Sequence, residues 1–417
     1  MLCALVALLV PTVLILRRAT PVYALMLGAL VGGLVGGFGL EGTVTTMVSG
    51  AQGMMGAVLR ILTSGVLAGA LIRTGAAARL ADAVIRGLGA NFALPAVALA
   101  TALVCAVGVF VDIAVITVAP VALSVGRRAG LPVPALLLAM VGGGKAGNIV
   151  SPNPNTISVA EVFEVDLTAL MTENVVPGCV ALAATILLAQ TVRRRRAGTM
   201  GGVRAETVDD PVAKDRPGLI AALTGPLVVV TLLALRPLCA VTVDPFVALS
   251  AGGFGCILAA GRVRETVGIC AFGLSQVSGI ALLLIGTGTI AGVVKASTLT
   301  TDLVSLLAAC HLPAFALAPL SGVLLAGATA STTAGATVAA QSFSGALLAS
   351  GVPAISAAAM IHAGATVLDS LPHGSFFHAT GGVVGMSVRD RLRILPYEVS
   401  VGITSTLFSL LVYLVRR

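Results

Sequence analysis

The feature that most constrains this chain is an internal repeat of broken apolar segments. Residues 40–190 and 262–415 carry the same succession of landmarks at an offset of about 220 residues. Phe92 with Pro95 and Phe315 with Pro313 open matching apolar segments. Gly-Leu-Pro at 130–132 answers Gly-Val-Pro at 351–353, Met140 answers Met360, and Ser-Pro-Asn at 151–153 answers Leu-Pro-His at 371–373. Glycine and proline interrupt both copies at corresponding places. Interrupted apolar segments in matching positions of two halves point to a secondary transporter with its site where the repeats meet.

Composition bears on what such a repeat can be. The chain is 57% hydrophobic and only 10% charged, with a mean hydropathy of +1.06. A soluble domain carries roughly 25% charged residues, and many stretches here approach the roughly 20 apolar residues that cross a bilayer. Residues 2–16 lack a preceding basic region and are followed by Arg17 and Arg18, which reads as a first helix and not a cleaved leader. The seven cysteines are scattered through apolar segments and read as packing residues. A net charge of +8 raises the question of nucleic acid. The basic residues instead cluster at segment ends, where they set orientation in a membrane, so no nucleic-acid partner is expected.

Placing Arg193–Arg196 in the cytoplasm orients the rest. The first repeat, 1–192, then has spans at 2–16, 20–39, 57–74 and 170–191, a hairpin at 92–127 and a broken helix at 132–155. A cytoplasmic linker covers 193–217. The second repeat, 218–417, has spans at 218–235, 241–260, 278–295 and 396–415, a hairpin at 314–349 and a broken helix at 352–374. Both termini fall outside. Stretches 41–56, 75–89, 264–277 and 298–311 are mildly amphipathic and are expected at the interfaces. The fold class expected is therefore an all-α integral membrane protein, an inverted-repeat secondary transporter with two re-entrant hairpins and two broken helices. Each hairpin has short arms around a small or polar centre, Gly108–Asp112 in one and Gly327–Gly335 in the other. A plain two-helix hairpin gives the same sidedness, but re-entrance brings the polar centres together near the midplane, where only protein or water can cover irregular backbone.

The candidate site follows from these centres and breaks. The first break runs from Gly142-Gly143-Gly144-Lys145 through Asn148 to Ser151-Pro152-Asn153-Pro154-Asn155. The second runs from His362 to Asp369-Ser370-Leu371-Pro372-His373. Glycine lowers helix preference and proline removes a donor, so both breaks free backbone groups at membrane depth. Freed N–H groups suit a carboxylate. Asp112 and Asp369 are charges inside apolar segments, where function is the default reading, beside a buried structural role. With His362 they are the candidates for ion coupling. Lys145 can attract an anion, pair with Asp112, or snorkel. Ser331, Thr332 and Thr333 offer hydroxyls, or bond their own helix. Asn148, Ser151, Asn153, Asn155 and His373 can face a bound acid; capping and turn roles are the alternative for the asparagines. No metal site and no catalytic set is expected. There is no zinc-protease pair, no phosphate loop and no serine elbow, so no enzyme and no cofactor is expected. Transport must then draw on a gradient of H⁺ or Na⁺.

The run Gly75-Ala76-Ala77-Ala78-Arg79-Leu80-Ala81-Asp82, the centre Phe110-Val111-Asp112, the proline-rich break at 151–154 and the segment Asp369-Ser370-Leu371-Pro372-His373-Gly374 resemble the gluconate permease family of the ion transporter superfamily. The first break departs from that family's Pro-Pro-x-Pro-Gly-Pro style, having Ser-Pro-Asn-Pro-Asn. The resemblance implies proton-coupled symport of a sugar acid or other small hydroxy acid across the cytoplasmic membrane by an inverted-repeat carrier, often a homodimer. The lipid bilayer and an anionic organic acid are the partners it implies. A cation/proton antiporter of similar architecture is the alternative, and an intramembrane enzyme a remote one.

Overall fold

The computed structural model describes residues 2–17, 19–89, 92–196, 217–239, 241–298, 301–302, 305 and 313–416. Among them the chain is all-helical. Most of the expected linker, 197–216, and much of 298–311 lie outside the described residues.

The first half contains α1 (Leu2–Leu16), α2 (Pro21–Val35), α3 (Gly39–Gln52), α4 (Met55–Arg73), α5 (Ala76–Leu88), α6 (Ala93–Ala106), α7 (Val111–Arg128), α8 (Val133–Ile149), α9 (Pro154–Val162), α10 (Leu167–Glu173) and α11 (Val175–Arg196). The second contains α12 (Leu219–Cys239), α13 (Pro245–Ala259), α14 (Thr266–Lys295), α15 (Leu317–Thr329), α16 (Thr332–Ala349), α17 (Ala354–Ala365), α18 (Ser375–Val383), α19 (Val388–Leu392) and α20 (Leu395–Arg416). Among the described residues, five stretches are long and apolar enough to cross a bilayer: Met55–Arg73, Val133–Val162, Val175–Arg195, Val263–Lys295 and Val388–Arg416. Shorter apolar helices accompany them.

Two matching substructures form the centre. Helices α6 and α7 pack on each other and on α8; α15 and α16 pack on each other and on α17. The partners then cross over. The short helix after the first break, α9, packs on α16, and the one after the second break, α18, packs on α7. Helices α11 and α20 pack together and close the outside of α8 and α17. Helix α8 is buried along its whole length, whereas α11 exposes Leu187 and Val176. Helices α4 and α14 lie against one another on the other flank.

The glycine run at 142–147 was expected to belong to the break, but α8 continues through it to Ile149. A Cβ on Gly143 would stand 2.2 Å from the Ala98 carbonyl oxygen, and one on Gly147 2.1 Å from that of Ala102. The two glycines, one turn apart, let α8 lie on the backbone of α6. Close packing offsets their poor helix preference. The break itself is short, Val150–Asn153, and Asn153 ends it by capping α9: its Oδ1 accepts from the N–H groups of Asn155 (2.9 Å) and Thr156 (3.2 Å). The second break, Thr366–Gly374, is longer.

Another departure concerns the span expected over 278–295. It begins at Thr266 and runs for 30 residues, absorbing the stretch 264–277 that reads as interfacial. Between Glu265 and Lys295 there is no charge and no proline to end it.

The ends of the helices sort onto two faces. Phe92, Arg128 and Arg193 line one cavity, so both ends of the first hairpin and the end of α11 share a face. Arg195 reaches the Tyr397 hydroxyl at 3.4 Å at that same end of α20. On the opposite face Arg60 bonds Glu161 and also Asp244, at 2.8 Å, while Arg416 pairs with Glu173. Arg391 departs from the expectation that the basic residues at segment ends mark a membrane face. It is 1% exposed, donates from Nη2 to Glu398 Oε2 at 2.9 Å, and stacks 5.0 Å above the Phe377 ring.

Candidate functional site

Helix starts make the site. The first arms of the hairpins end, the chain turns, and the second arms begin at Val111 and Thr332. The first turn uses Gly108 at φ +106°, a conformation glycine alone adopts freely. The second uses Ala330 at φ +45°, a left-handed position that costs a side-chain-bearing residue roughly 1–2 kcal/mol. A cavity of about 270 Å³ lies between the two turns. Its wall includes Val111 and Asp112 from the start of α7, Asn155 from the start of α9, Thr332 and Thr333 from the start of α16, and Ser375 from the start of α18. Four helix N-termini therefore converge on one space. Each turns the positive end of its dipole towards it; Asp112, Asn153 and Ser331 already accept from N–H groups in the first turns of α7, α9 and α16.

Acidic and basic groups are placed around that positive field. Asp369 lies on the cavity wall. Its Oδ1 holds the Lys145 ammonium at 2.6 Å, and its Oδ2 accepts from the Thr332 hydroxyl at 2.7 Å. Ser370 Oγ donates to Oδ1 at 2.9 Å. Lys145 also donates to the Thr366 carbonyl at 2.7 Å. Lys145 is 2% exposed and Asp369 4%. The expected alternative, a Lys145–Asp112 pair, is thus replaced by a pair that joins the first broken helix to the second break. The reason is reach: Lys145 leaves α8 close to the Thr366 carbonyl, three residues before Asp369. Asp112 lies apart. Its Oδ1 accepts from the N–H of Ile113 at 2.9 Å, and no basic group among the described residues pairs with it.

An amide chain backs the opposite wall. Thr333 Oγ1 donates to Asn155 Oδ1, Asn155 Nδ2 donates to Asn148 Oδ1 at 3.0 Å, and Asn153 Nδ2 donates to the same oxygen at 2.6 Å. Asn148 Nδ2 is buried without a partner among the described residues. Ser331 lines the cavity and caps α16, accepting from the Ala334 N–H at 3.3 Å.

The expected site residues thus fall into three groups. Asp112, Asn155, Ser331, Thr332, Thr333 and Asp369 form the wall. Lys145, Asn148 and Asn153 stand one layer behind and hydrogen-bond to it. The remainder are elsewhere. The side chains of Ser151 and His362 are buried with no hydrogen-bond partner among the described residues, and neither residue lines the cavity. His373 is exposed and does not line the cavity. The N–H groups near Gly147 and Asn148, expected to be free, are inside α8, because the helix continues through the glycines.

Gln276 is a wall residue that the motifs do not single out. Its signal is present in the sequence: it is the lone amide in the 30-residue α14. Phe110 and Phe376 close the apolar side.

Residues 1–251 match the family described as GntP family permease. A Haemophilus influenzae protein named as an uncharacterized transporter is 48% identical over 410 residues, covering 98% of this chain and 97% of its own length. Among solved structures, the YdaH transporter of Alcanivorax borkumensis superposes with a TM-score of 0.67 at 18% identity, over 90% of this chain and 88% of that one. MtrF of Neisseria gonorrhoeae, described within a class of antimetabolite efflux pumps, gives a TM-score of 0.64 at 14% identity, over 89% of this chain and 84% of that one. At these identities the structures speak to fold alone, and the fold is that of a multi-pass membrane transporter. With its family matched over more than half its length, this chain belongs to the GntP permease family and is a membrane transporter, not an enzyme.

Proposed function

We propose that the protein is a proton-coupled symporter of a small monoanionic hydroxy or sugar acid, gluconate or a shorter relative, in the cytoplasmic membrane. The observation that carries this reading is the convergence of four helix N-termini on a cavity whose wall holds Asp369 paired with Lys145. Helix starts bind carboxylates. The volume, about 270 Å³, falls just below the roughly 300–1,000 Å³ of ligand pockets, which favours a small solute. Asn155, Thr333 and Gln276 supply hydroxyl partners.

Coupling follows from charge balance. In the empty site Lys145 and Asp369 offset each other. A substrate carboxylate entering between Val111 and Thr332 competes with Asp369 for the Thr332 hydroxyl and for Lys145. A proton on Asp369 removes the competition. The loaded site then holds one cation, one anion and a neutral acid, so its net charge equals that of the empty pair. Both forms can cross an apolar barrier at similar electrostatic cost, whereas anion without proton, or proton without anion, leaves an uncompensated buried charge. Asp112 is the second coupling candidate. The architecture in this reading is an inverted repeat with hairpins 92–127 and 314–349 re-entering from opposite sides and both termini outside.

Proteoliposomes loaded at neutral pH and diluted into acidic buffer test this with radiolabelled gluconate and a panel of shorter hydroxy acids. Accumulation should follow the pH gradient. Asp369→Asn should abolish accumulation per folded protein, measured alongside a lowered Tm because the variant also strands Lys145. Wild-type accumulation by that variant would remove Asp369 from the mechanism. Proton flux driven by Na⁺ or K⁺ with no organic acid moved would favour the antiporter reading.

A further inference from the structure

The cavity on the basic face has no role in the transport reading. It measures about 390 Å³ and lies among the start of α6, the end of α7 and the end of α11. Arg128 comes from α7 and Arg193 from α11, and both line it together with Gln190. Both arginines are exposed, and no hydrogen bond or ion pair among the described residues engages either. Charges that only set orientation would stand singly in water. Here two guanidinium groups from separate helices face one space, whose remaining wall is apolar, Leu94 and Leu131 included. The first turn of α6 adds its dipole, and Phe92, which precedes it, has no side-chain cap on that turn.

The geometry points to a binding site for the phosphate group of an anionic phospholipid. Guanidinium groups bind phosphate in two-bond forks, and basic pockets between membrane helices receive acidic lipid headgroups. Two features favour a lipid over a free phosphate. Phe92 stands at the rim 60% exposed, an aromatic at headgroup level in a chain with no tryptophan. Leu187, one turn deeper than Gln190 on the same side of α11, is 65% exposed. A phosphate held by Arg128 and Arg193 would lay its acyl chain along Leu187.

Delipidated protein in neutral detergent tests the site by thermal denaturation during titration with phosphatidylglycerol, phosphatidylcholine or sodium phosphate. Phosphatidylglycerol should raise Tm, with the other two near baseline. Arg128→Gln/Arg193→Gln should weaken the apparent affinity for phosphatidylglycerol about tenfold or more, because the charge-assisted bonds to the phosphate are lost. Arg194→Gln is the control: it neutralises an exposed neighbour that does not line the cavity. Native mass spectrometry should count fewer bound phosphatidylglycerol molecules on the double variant alone. An unchanged response in the double variant, an equal loss in Arg194→Gln, or an equal Tm rise with sodium phosphate would each overturn the lipid site.

Discussion

Lys145 and Asp369 are separated by 224 residues and meet at 2.6 Å. Each is visible in the sequence as a charge in an apolar segment. That they pair with each other is not, because local spacing carries no information across two repeats. Removing one partner leaves the other buried, which costs about 3–5 kcal/mol when a charge is stranded. Lys145→Ala should therefore lower Tm sharply and abolish uptake. Lys145→Met/Asp369→Leu should regain much of the stability and none of the transport. A double variant that still accumulates substrate would show that the pair only holds the fold. The buried Arg391–Glu398 pair offers a contrast, since it touches no part of the cavity. Arg391→Met/Glu398→Leu should keep both stability and uptake within about twofold, whereas Arg391→Met alone should destabilise by about 3 kcal/mol or more. In the proposed mechanism Thr333 and Asn155 read the substrate's hydroxyls, so Thr333→Val should weaken competition by hydroxy acids more than competition by their deoxy analogues. Equal shifts for both would remove hydroxyl reading from that wall.

Elements show where pattern reading succeeds and where it stops. The hairpin ends, the breaks near 151–154 and 366–374 and the last helix of each half are legible from glycine, proline and apolar length. The glycine run in α8 is misread by the same rule. Composition says that glycine weakens a helix; it does not say that a neighbour lies 2.1 Å from where a Cβ would stand. Gly147→Val should accordingly separate α8 from α6 and reduce folded yield, at a cost of about 1–3 kcal/mol or more. Fluorescence-detected size exclusion and a Tm measurement check it. Wild-type elution and Tm would mean that α6 can move aside freely. Asn153→Ala removes the cap of α9, worth about 1 kcal/mol, and also takes a partner from Asn148, so its effect on Tm should exceed that of removing an exposed cap by Ser387→Ala.

At the scale of the whole molecule, one face gathers Arg128, Arg193 and Arg195, and the other holds the Arg60–Glu161–Asp244 cluster. Asp244 lies in the connection before α13, and the Arg60 guanidinium bonded to it holds its carboxyl below the ordinary aspartate value of 3.8. A carboxyl lowered in the folded state stabilises above its ordinary pKa, and that contribution fades as pH falls through the lowered value. Between pH 5 and 3, wild type should therefore lose slightly more Tm than Asp244→Asn. The difference should be small, since the carboxylate is half exposed and screened. Orientation is read out separately. In a cysteine-free background, Arg194→Cys should label only from the cytoplasm and Glu164→Cys only from outside. Labelling of both from one side would refute the two-face arrangement.

The sequence alone determines that this is a helical membrane chain, because apolar length and low charge leave a bilayer as the solvent in which it can bury its backbone. It also marks the two breaks and the polar hairpin centres, since glycine and proline act locally. It locates charges but not their partners. Only the tertiary structure decides that Lys145 belongs to Asp369 and not to Asp112, that His373 does not line the cavity, and that Gln276 does. Pairing depends on which helix faces which across two halves about 220 residues apart. That is set by backbone approach at glycines such as Gly143 and Gly147, a contact property no single segment contains.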